Sequence, residues 1–333
     1  MKFGEKPKPL ICNPDGVEHK INMQSSNKKR ICFIVNPVAG SDLGKYFRKI
    51  RNIKEKFIDK FLDITAFDYD LFFTEEKGHA SRLCEDALKK GYDIIAAVGG
   101  DGTVNEVGRV LLGKDTALAI IPAGSGNGLS RHLGIPMNIR GSLAVINSQN
   151  EIKIDTARIN LTEPTGAVGS STVFISTAGL GFEAFMAKKF AGLEKRGFWQ
   201  YIKATAKEFF SYELQNYELN IDGVDKKARA FMLTFANSSQ YGNNAIISPT
   251  AKLDDGLLDV CIVNKFPFYA VPALLFRLFA GTIDKSPYIE IIKAKKTVVK
   301  RESDYVQVDG DFLRIEKSLE IEVNPMSLRV LAP

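Results

Sequence analysis

The sequence predicts an α/β protein: an N-terminal α/β domain followed by a β-sandwich domain. Three observations predict it. From residue 30 to about residue 121, short apolar runs alternate with segments of helical periodicity. That alternation implies a parallel sheet with helices on both faces. Glycine-rich segments follow directly on several of the apolar runs, at the strand ends where such sheets bind ligands. After about residue 150 the strands alternate polar and apolar residues instead, as in a sandwich. The expected divisions are an extension over 1–29, the α/β domain over 30–150 and the sandwich over 151–324. Residues 325–333 are expected to return to the first domain.

Residues 1–27 are rich in Pro, Asn and Lys and have no periodic pattern. Ile31–Val35 reads as a buried strand. Leu43–Phe61 reads as a helix, because Tyr46, Phe47, Ile50, Ile53, Phe57 and Phe61 recur at helical spacing. Asp68–Phe73 is a strand, and His79–Lys90 is a helix stopped by Gly91. Ile94–Val98 is a strand and Val104–Leu112 a helix, with Thr103 and Glu106 forming a T-x-x-E capping box. Ala117–Ile121 is a further strand. Asn36, Thr74, Gly99 and Pro122 each follow a strand, so all four are expected to face one crevice.

In the second part, strands are expected at Ile152–Asn160, Thr172–Thr177, Tyr217–Ile221, Ala230–Asn237 and Leu257–Val263. More follow at Tyr288–Lys293, Tyr305–Asp309, Leu319–Val323 and Leu328–Leu331. Helices are expected at Phe182–Phe190 and Phe198–Phe210. Phe266–Ile283 is another helix candidate with two readings: an ordinary core stripe, or a surface that shields an acyl chain or touches a bilayer. Phe182, Phe185 and Met186, after Gly179-Leu180-Gly181, carry the same two readings.

Composition narrows the function classes. The 333 residues suffice for two cores, and 45% hydrophobic with 25% charged content is that of a soluble globular chain. The net charge is +6. Its clusters, such as Lys28-Lys29-Arg30 and Lys293-Ala294-Lys295-Lys296, suit solvated faces and also an anionic membrane surface. No nucleic-acid-binding motif is present. The cysteines Cys12, Cys32, Cys84 and Cys261 show no C-x-x-C spacing, which reads as free thiols in a reducing compartment. With His19, His79 and His132 as the only histidines, no clustered zinc site forms. Residues 1–27 lack the apolar core of a signal peptide, and no apolar run is long enough to span a bilayer. The expected location is the cytoplasm.

Four segments carry chemistry. Val98-Gly99-Gly100-Asp101-Gly102-Thr103-Val104-Asn105-Glu106 is a glycine turn that opens a helix. Such a turn aims N–H donors and positive dipole at an anion. Asp101 would repel a phosphate there unless a cation stands between them or Asp101 handles a proton. That combination points to metal-assisted phosphoryl transfer. Pro122-Ala123-Gly124-Ser125-Gly126-Asn127-Gly128 offers a second dense set of donors for a phosphate or nucleotide. It is not the dinucleotide fingerprint, since its third glycine comes one residue early. Asn36-Pro37-Val38-Ala39-Gly40-Ser41 ends the first strand. It leads into a near miss to a P-loop that lacks the first glycine and the magnesium-binding hydroxyl. Val308-Asp309-Gly310-Asp311, far away in sequence, reads on its own residues as a hairpin turn.

Taken together, GGDGTVNE, NPVAG, PAGSGNGLSRHLGIP and VDGD resemble the diacylglycerol kinase catalytic-domain family of lipid kinases. That family includes bacterial diacylglycerol kinases, sphingosine kinases and ceramide kinases. GGDGT alone is shared with NAD kinases, whereas the combination is more specific. The resemblance covers the chain from about residue 30. It implies an NAD kinase-like nucleotide-binding domain, a β-sandwich, and ATP and lipid meeting in the cleft between them.

The nucleotide contacts it implies are Asn36, Gly40, Thr74, Gly100, Gly102, Thr103, Gly124, Ser125 and Asn127. The acids it implies are Asp101, Asp309 and Asp311, with Asp311 standing where many members have Glu. Asp309 is the expected base and Asp101 the organiser of Mg2+ and water, with the reverse assignment of the two also open. Gly128 stands where many bacterial members have Asp, so the acceptor need not be diacylglycerol. A structural Mg2+ is implied at Lys252, Asp255 and Leu257; an ordinary Asp-Gly turn is the other reading. The resulting expectation is an ATP-dependent lipid kinase acting on diacylglycerol or a related lipid alcohol. Sphingoid-base or ceramide kinase, NAD kinase and a non-catalytic nucleotide-binding regulator are the alternatives. The expected partners are a lipid substrate and, transiently, an anionic membrane surface; a homodimer stays open.

Overall fold

The computed structural model describes residues 28–40, 57–162, 168–190, 208–209, 212–315 and 317–333. Residues 1–27, residues 43–56 of the expected helix Leu43–Phe61 and most of Phe198–Phe210 lie outside the described residues.

The first half is a parallel sheet. β1 (Lys29–Val35) lies between β2 (Phe67–Phe73) and β3 (Ile94–Gly99), and β3 pairs in turn with β4 (Ala117–Pro122). Every residue of β3 and β4 is buried, which is why they read as unbroken apolar runs. Ile31, Phe33 and Val35 pack to one side against α4 (Ile139–Ser148). Cys32 and Ile34 pack to the other against α1 (His79–Lys89) and α2 (Asp101–Leu111). A short helix, α3 (Gly128–His132), follows the second glycine segment. Burial leaves Cys32, Cys84 and Cys261 unpaired, and pushes the Cys32 and Cys84 thiols up to about 12.

The second half is antiparallel. Its strands are β5 (Glu151–Thr162), β6 (Val168–Phe174), β7 (Thr177–Gly181), β8 (Gln215–Ile221) and β9 (Val224–Ala236). They continue with β10 (Leu258–Asn264), β11 (Ile289–Ala294), β12 (Lys296–Arg301), β13 (Tyr305–Val308), β14 (Asp311–Arg314) and β15 (Ser318–Leu331). Helix α5 (Phe182–Phe190) follows β7, and α6 (Val271–Ala280) links β10 to β11. Phe174, Leu180, Leu233, Phe235, Val260 and Val299 lie in the sandwich core.

β15 joins the two halves. It pairs antiparallel with β12 and β5, shifts register between Asn324 and Leu328, and then sets Val330 beside Leu118 of β4 in parallel. The strand order therefore runs without interruption from β14 in the sandwich to β2 in the parallel sheet.

Several elements differ from expectation. Helix α2 starts at Asp101 with Gly100 as its N-cap, and no side chain caps it, so the Thr103–Glu106 capping box does not form. Helix α4 went unread, although Asn138 caps it by accepting from the Gly141 N–H at 2.8 Å. The expected strand Thr172–Thr177 is two strands, broken at Ile175–Ser176. β12 was read as part of a basic cluster. Its Lys296 and Lys300 point outward on alternate positions, while Thr297 and Val299 are buried.

Candidate active site

The loops after the four parallel strands leave one edge of the sheet together. The Asn36 N–H donates to Val98 O at 2.9 Å, that of Thr74 to Val35 O at 2.9 Å and that of Ala123 to Gly99 O at 2.7 Å. The two glycine segments then touch backbone to backbone. A Cβ on Gly124 would lie 2.3 Å from the Gly100 Cα, so neither position accepts a side chain. A Cβ on Gly126 would lie 2.8 Å from Asp101 Oδ2, so the bare glycine leaves a cradle beside that oxygen.

Asp101 is the first residue of α2, and its Oδ1 accepts from the Gly128 N–H at 2.7 Å. Burial raises its carboxyl above the ordinary value; N–H donors of Gly128 and Asn127 oppose this, and the Asp309 charge adds to it. Asn36 donates through Nδ2 to Thr103 Oγ1 at 3.1 Å, and Thr74 is buried close by at the end of β2. Gly40 and Gly102 face open space, and Ser125 is exposed.

Asn127 is bonded within its own loop. Its amide accepts from the Gly124 N–H at 3.0 Å and donates to Gly124 O at 2.8 Å. The side chain closes the loop on itself.

Asp309 is buried rather than open to the sheet edge. Asp309 and Gly310, at φ 50° and 87°, make the tight turn between β13 and β14, while the Asp309 carboxylate points inward with 1% exposure. Its oxygens accept the N–H groups of Ile175, Ser176 and Thr177 at 2.9, 2.8 and 3.1 Å. Arg109 approaches it at 3.5 Å, and Asn105 donates to its carbonyl at 3.3 Å. Asp309 therefore stitches the β6–β7 break to α2. Burial raises its carboxyl, against the pull of Arg109 and the three N–H groups. Among the described residues every partner of the carboxylate is a donor, so a proton placed on it meets no acceptor there. This is not the setting of a base that must meet a substrate hydroxyl.

Asp311 has that setting. It opens β14, keeps 40% of its side chain exposed, and lies 2.8 Å from Lys77 Nζ. Lys77 comes from the loop between β2 and α1, in the other half of the molecule. Glu106 anchors that loop by accepting the N–H groups of Gly78 at 2.9 Å and Ala80 at 3.1 Å. Because α2 starts at Asp101, Glu106 sits beyond the first turn and caps the neighbouring helix instead of its own. No motif or periodicity marks Lys77 or Arg109, and the GGDGTVNE motif that contains Asn105 does not show its contact with Asp309.

A magnesium ion that arrives with a nucleotide needs one or two carboxylates besides phosphate oxygens. Asp101 beside the Gly126 cradle fits that need. The segment Lys252, Asp255 and Leu257 does not fit a structural magnesium. Asp255 Oδ2 pairs with Lys293 Nζ at 2.9 Å, and Oδ1 accepts from the Leu257 N–H at 3.1 Å. Lys293 also pairs with Asp259 at 2.9 Å, so its ammonium already supplies the positive charge there. The Asp-Gly turn is the reading that holds, with Gly256 at φ 66°.

Residues 30–159 match the family model of the diacylglycerol kinase catalytic domain, and residues 176–332 that of the YegS C-terminal NAD kinase beta sandwich-like domain. The chain is 29% identical over 258 residues to a diacylglycerol kinase of Mycobacterium tuberculosis, covering 76% of this chain and 81% of that one. It is 26% identical over 308 residues to a diacylglycerol kinase of Staphylococcus aureus, covering 88% and 92%. Among solved structures, a diacylglycerol kinase from Bacillus anthracis matches with a TM-score of 0.66 at 23% identity, over 92% of this chain and 97% of that one. Yeast NADH kinase matches at 0.51 with 13% identity, over 92% and 84%. These two structural likenesses concern the fold.

Proposed function

The chain belongs to the family of the diacylglycerol kinase catalytic domain, and on that premise we propose that it transfers the terminal phosphoryl group of ATP to a lipid hydroxyl. Diacylglycerol or a related lipid alcohol is the acceptor. The observation that carries the reading is the Lys77–Asp311 pair, drawn from the two halves of the molecule. It complements the glycine-lined helix start that carries Asp101.

The N–H groups of the Gly100–Thr103 turn and the Gly124–Gly126 loop bind the ATP phosphates at the positive end of α2. Asp101 would hold Mg2+, which when bound neutralises charge on the phosphate oxygens. The lipid hydroxyl oxygen attacks the terminal phosphorus, the bond to the ADP oxygen breaks, and the hydroxyl proton passes to the Asp311 carboxylate. Lys77 adds a positive charge where negative charge gathers on the transferred group. Asp309 does not exchange protons; it holds the hairpin that presents Asp311.

The test is transfer from terminally labelled ATP to a panel of dispersed diacylglycerol, sphingoid base and ceramide, with NAD offered alongside. The reading expects label in one of these lipids, and loss of that label in Asp311→Asn. Tight ATP binding with no labelled lipid would favour the regulator, and label in NAD alone would favour an NAD kinase.

A further inference from the structure

Of the two readings of Phe266–Ile283, the core stripe does not hold for helix α6. No residue of α6 is buried. Its outward stripe is Pro272, Leu275, Phe276 and Phe279, at the i, i+3, i+4, i+7 spacing of one helical face. Leu275, Phe276 and Phe279 are 49%, 74% and 42% exposed, and Tyr269, one turn earlier, is 80% exposed. Soluble helices place polar residues on that face. The inner side is accounted for: Leu278 packs against the cluster of Phe182, Phe231 and Ile247, and its carbonyl accepts the Ile246 N–H at 2.9 Å.

We propose that this outward stripe of α6 is the surface by which the protein docks on an anionic lipid bilayer. The proposal rests on the lipid-kinase reading and deepens it by naming the phase from which the acceptor is drawn. Charge favours a bilayer as the occupant: residues 265–283 contain Lys265 and Arg277 and no Asp or Glu. Cations beside aromatic and aliphatic side chains match the headgroup–acyl boundary of an anionic membrane. The 10 residues of α6 are too few to cross a bilayer but enough to lie in its surface. A second copy of the chain is the poorer occupant. A helix about 15 Å long does not supply the roughly 800 Å² per partner of a standard interface.

The placement also serves the cleft. Ile246 ends a loop whose Asn243 N–H donates to Gly126 O at 3.0 Å, and Gly126 forms the cradle beside Asp101. One loop therefore separates the docking stripe from the phosphate-binding loop.

Vesicle sedimentation without nucleotide tests the proposal, using phosphatidylcholine with and without added phosphatidylglycerol. The wild-type chain should pellet with the anionic vesicles, less so as salt rises. The double variant Phe276→Ser, Phe279→Ser should bind about tenfold more weakly or less. Its melt should be unchanged, as should any activity on a monomeric short-chain acceptor. Equal sedimentation of wild type and variant overturns the proposal. So does a wild-type dimer that the variant converts to monomer with no change in vesicle binding. Since sedimentation needs no turnover, vesicle binding without phosphorylation counts against the kinase reading alone. Phosphorylation without vesicle binding counts against this surface alone.

Discussion

Lys77 and Asp311 stand 234 residues apart in the chain, yet Lys77 Nζ lies 2.8 Å from Asp311 Oδ1. The pair joins the loop after β2 to the hairpin of the second half. Both side chains are partly exposed, so the pair contributes little to stability and its value is expected in the reaction. Asp311→Asn should lower kcat by about 10²–10⁴-fold, the usual range for loss of a general base. Lys77→Met should lower kcat/KM with an unchanged melt. Steady-state kinetics beside a thermal melt checks both.

Asp309 should behave in the opposite way. Asp309→Ala leaves three buried N–H groups and the Arg109 charge without their acceptor. The expected loss is about 3–5 kcal/mol in a urea titration. A stable but inactive Asp309→Ala protein would return the base to Asp309.

Asp101→Asn separates chemistry from packing. Asn keeps an oxygen that can accept the Gly128 N–H, so the melt should hold. Transfer should vanish, because the carboxylate charge beside the Gly126 cradle is gone. An active Asp101→Asn protein would remove Asp101 from the mechanism.

Glu183 predicts a pH effect on stability. Its Oε2 accepts from the hydroxyls of Thr234 at 2.7 Å and Tyr241 at 3.1 Å, while Oε1 is sealed without a partner among the described residues. Burial raises this carboxyl from 4.5 to about 7, against the two hydroxyl donors. With the folded value above the unfolded one, the folded state binds the proton more tightly. The contribution is full below about pH 4.5, falls as pH rises, and is gone above about pH 7. Its ceiling is on the order of 3 kcal/mol. Denaturation midpoints across that window should slope downward for the wild type and flatten for Glu183→Gln.

Gly124 tests the contact between the two loops. A Cβ there meets the Gly100 backbone at 2.3 Å, and a backbone neighbour cannot swing aside as a side chain can. Gly124→Ala should weaken ATP binding by at least about tenfold in a calorimetric titration, by misplacing donors that must converge within fractions of an ångström.

Much of this arrangement was legible in the sequence. Parallel strands buried on both faces appear as plain apolar runs, so the crevice behind Asn36, Thr74, Gly99 and Pro122 followed from spacing. Val308–Asp311 carried two readings, hairpin turn and active acids. The structure makes the turn and sends the two acids in different directions, Asp309 inward and Asp311 outward. What stayed illegible depends on tertiary contacts. The position of Lys77 has meaning only through Asp311. The role of Glu106 changed because α2 begins three residues earlier than its apolar pattern suggests. The apolar stripe of α6 has the same periodicity whether it faces the core or solvent, so only the fold decides which.

The central claim is ATP-dependent phosphorylation of a lipid hydroxyl, and one incubation tests it most directly. The protein, ATP and magnesium are combined with a fractionated total lipid extract and with NAD, and products are identified by mass. The account predicts one lipid class that gains a single phosphoryl group, with no gain in the Asp101→Asn protein. An extract that stays unphosphorylated while the protein binds ATP, or phosphorylated NAD as the only product, would contradict it.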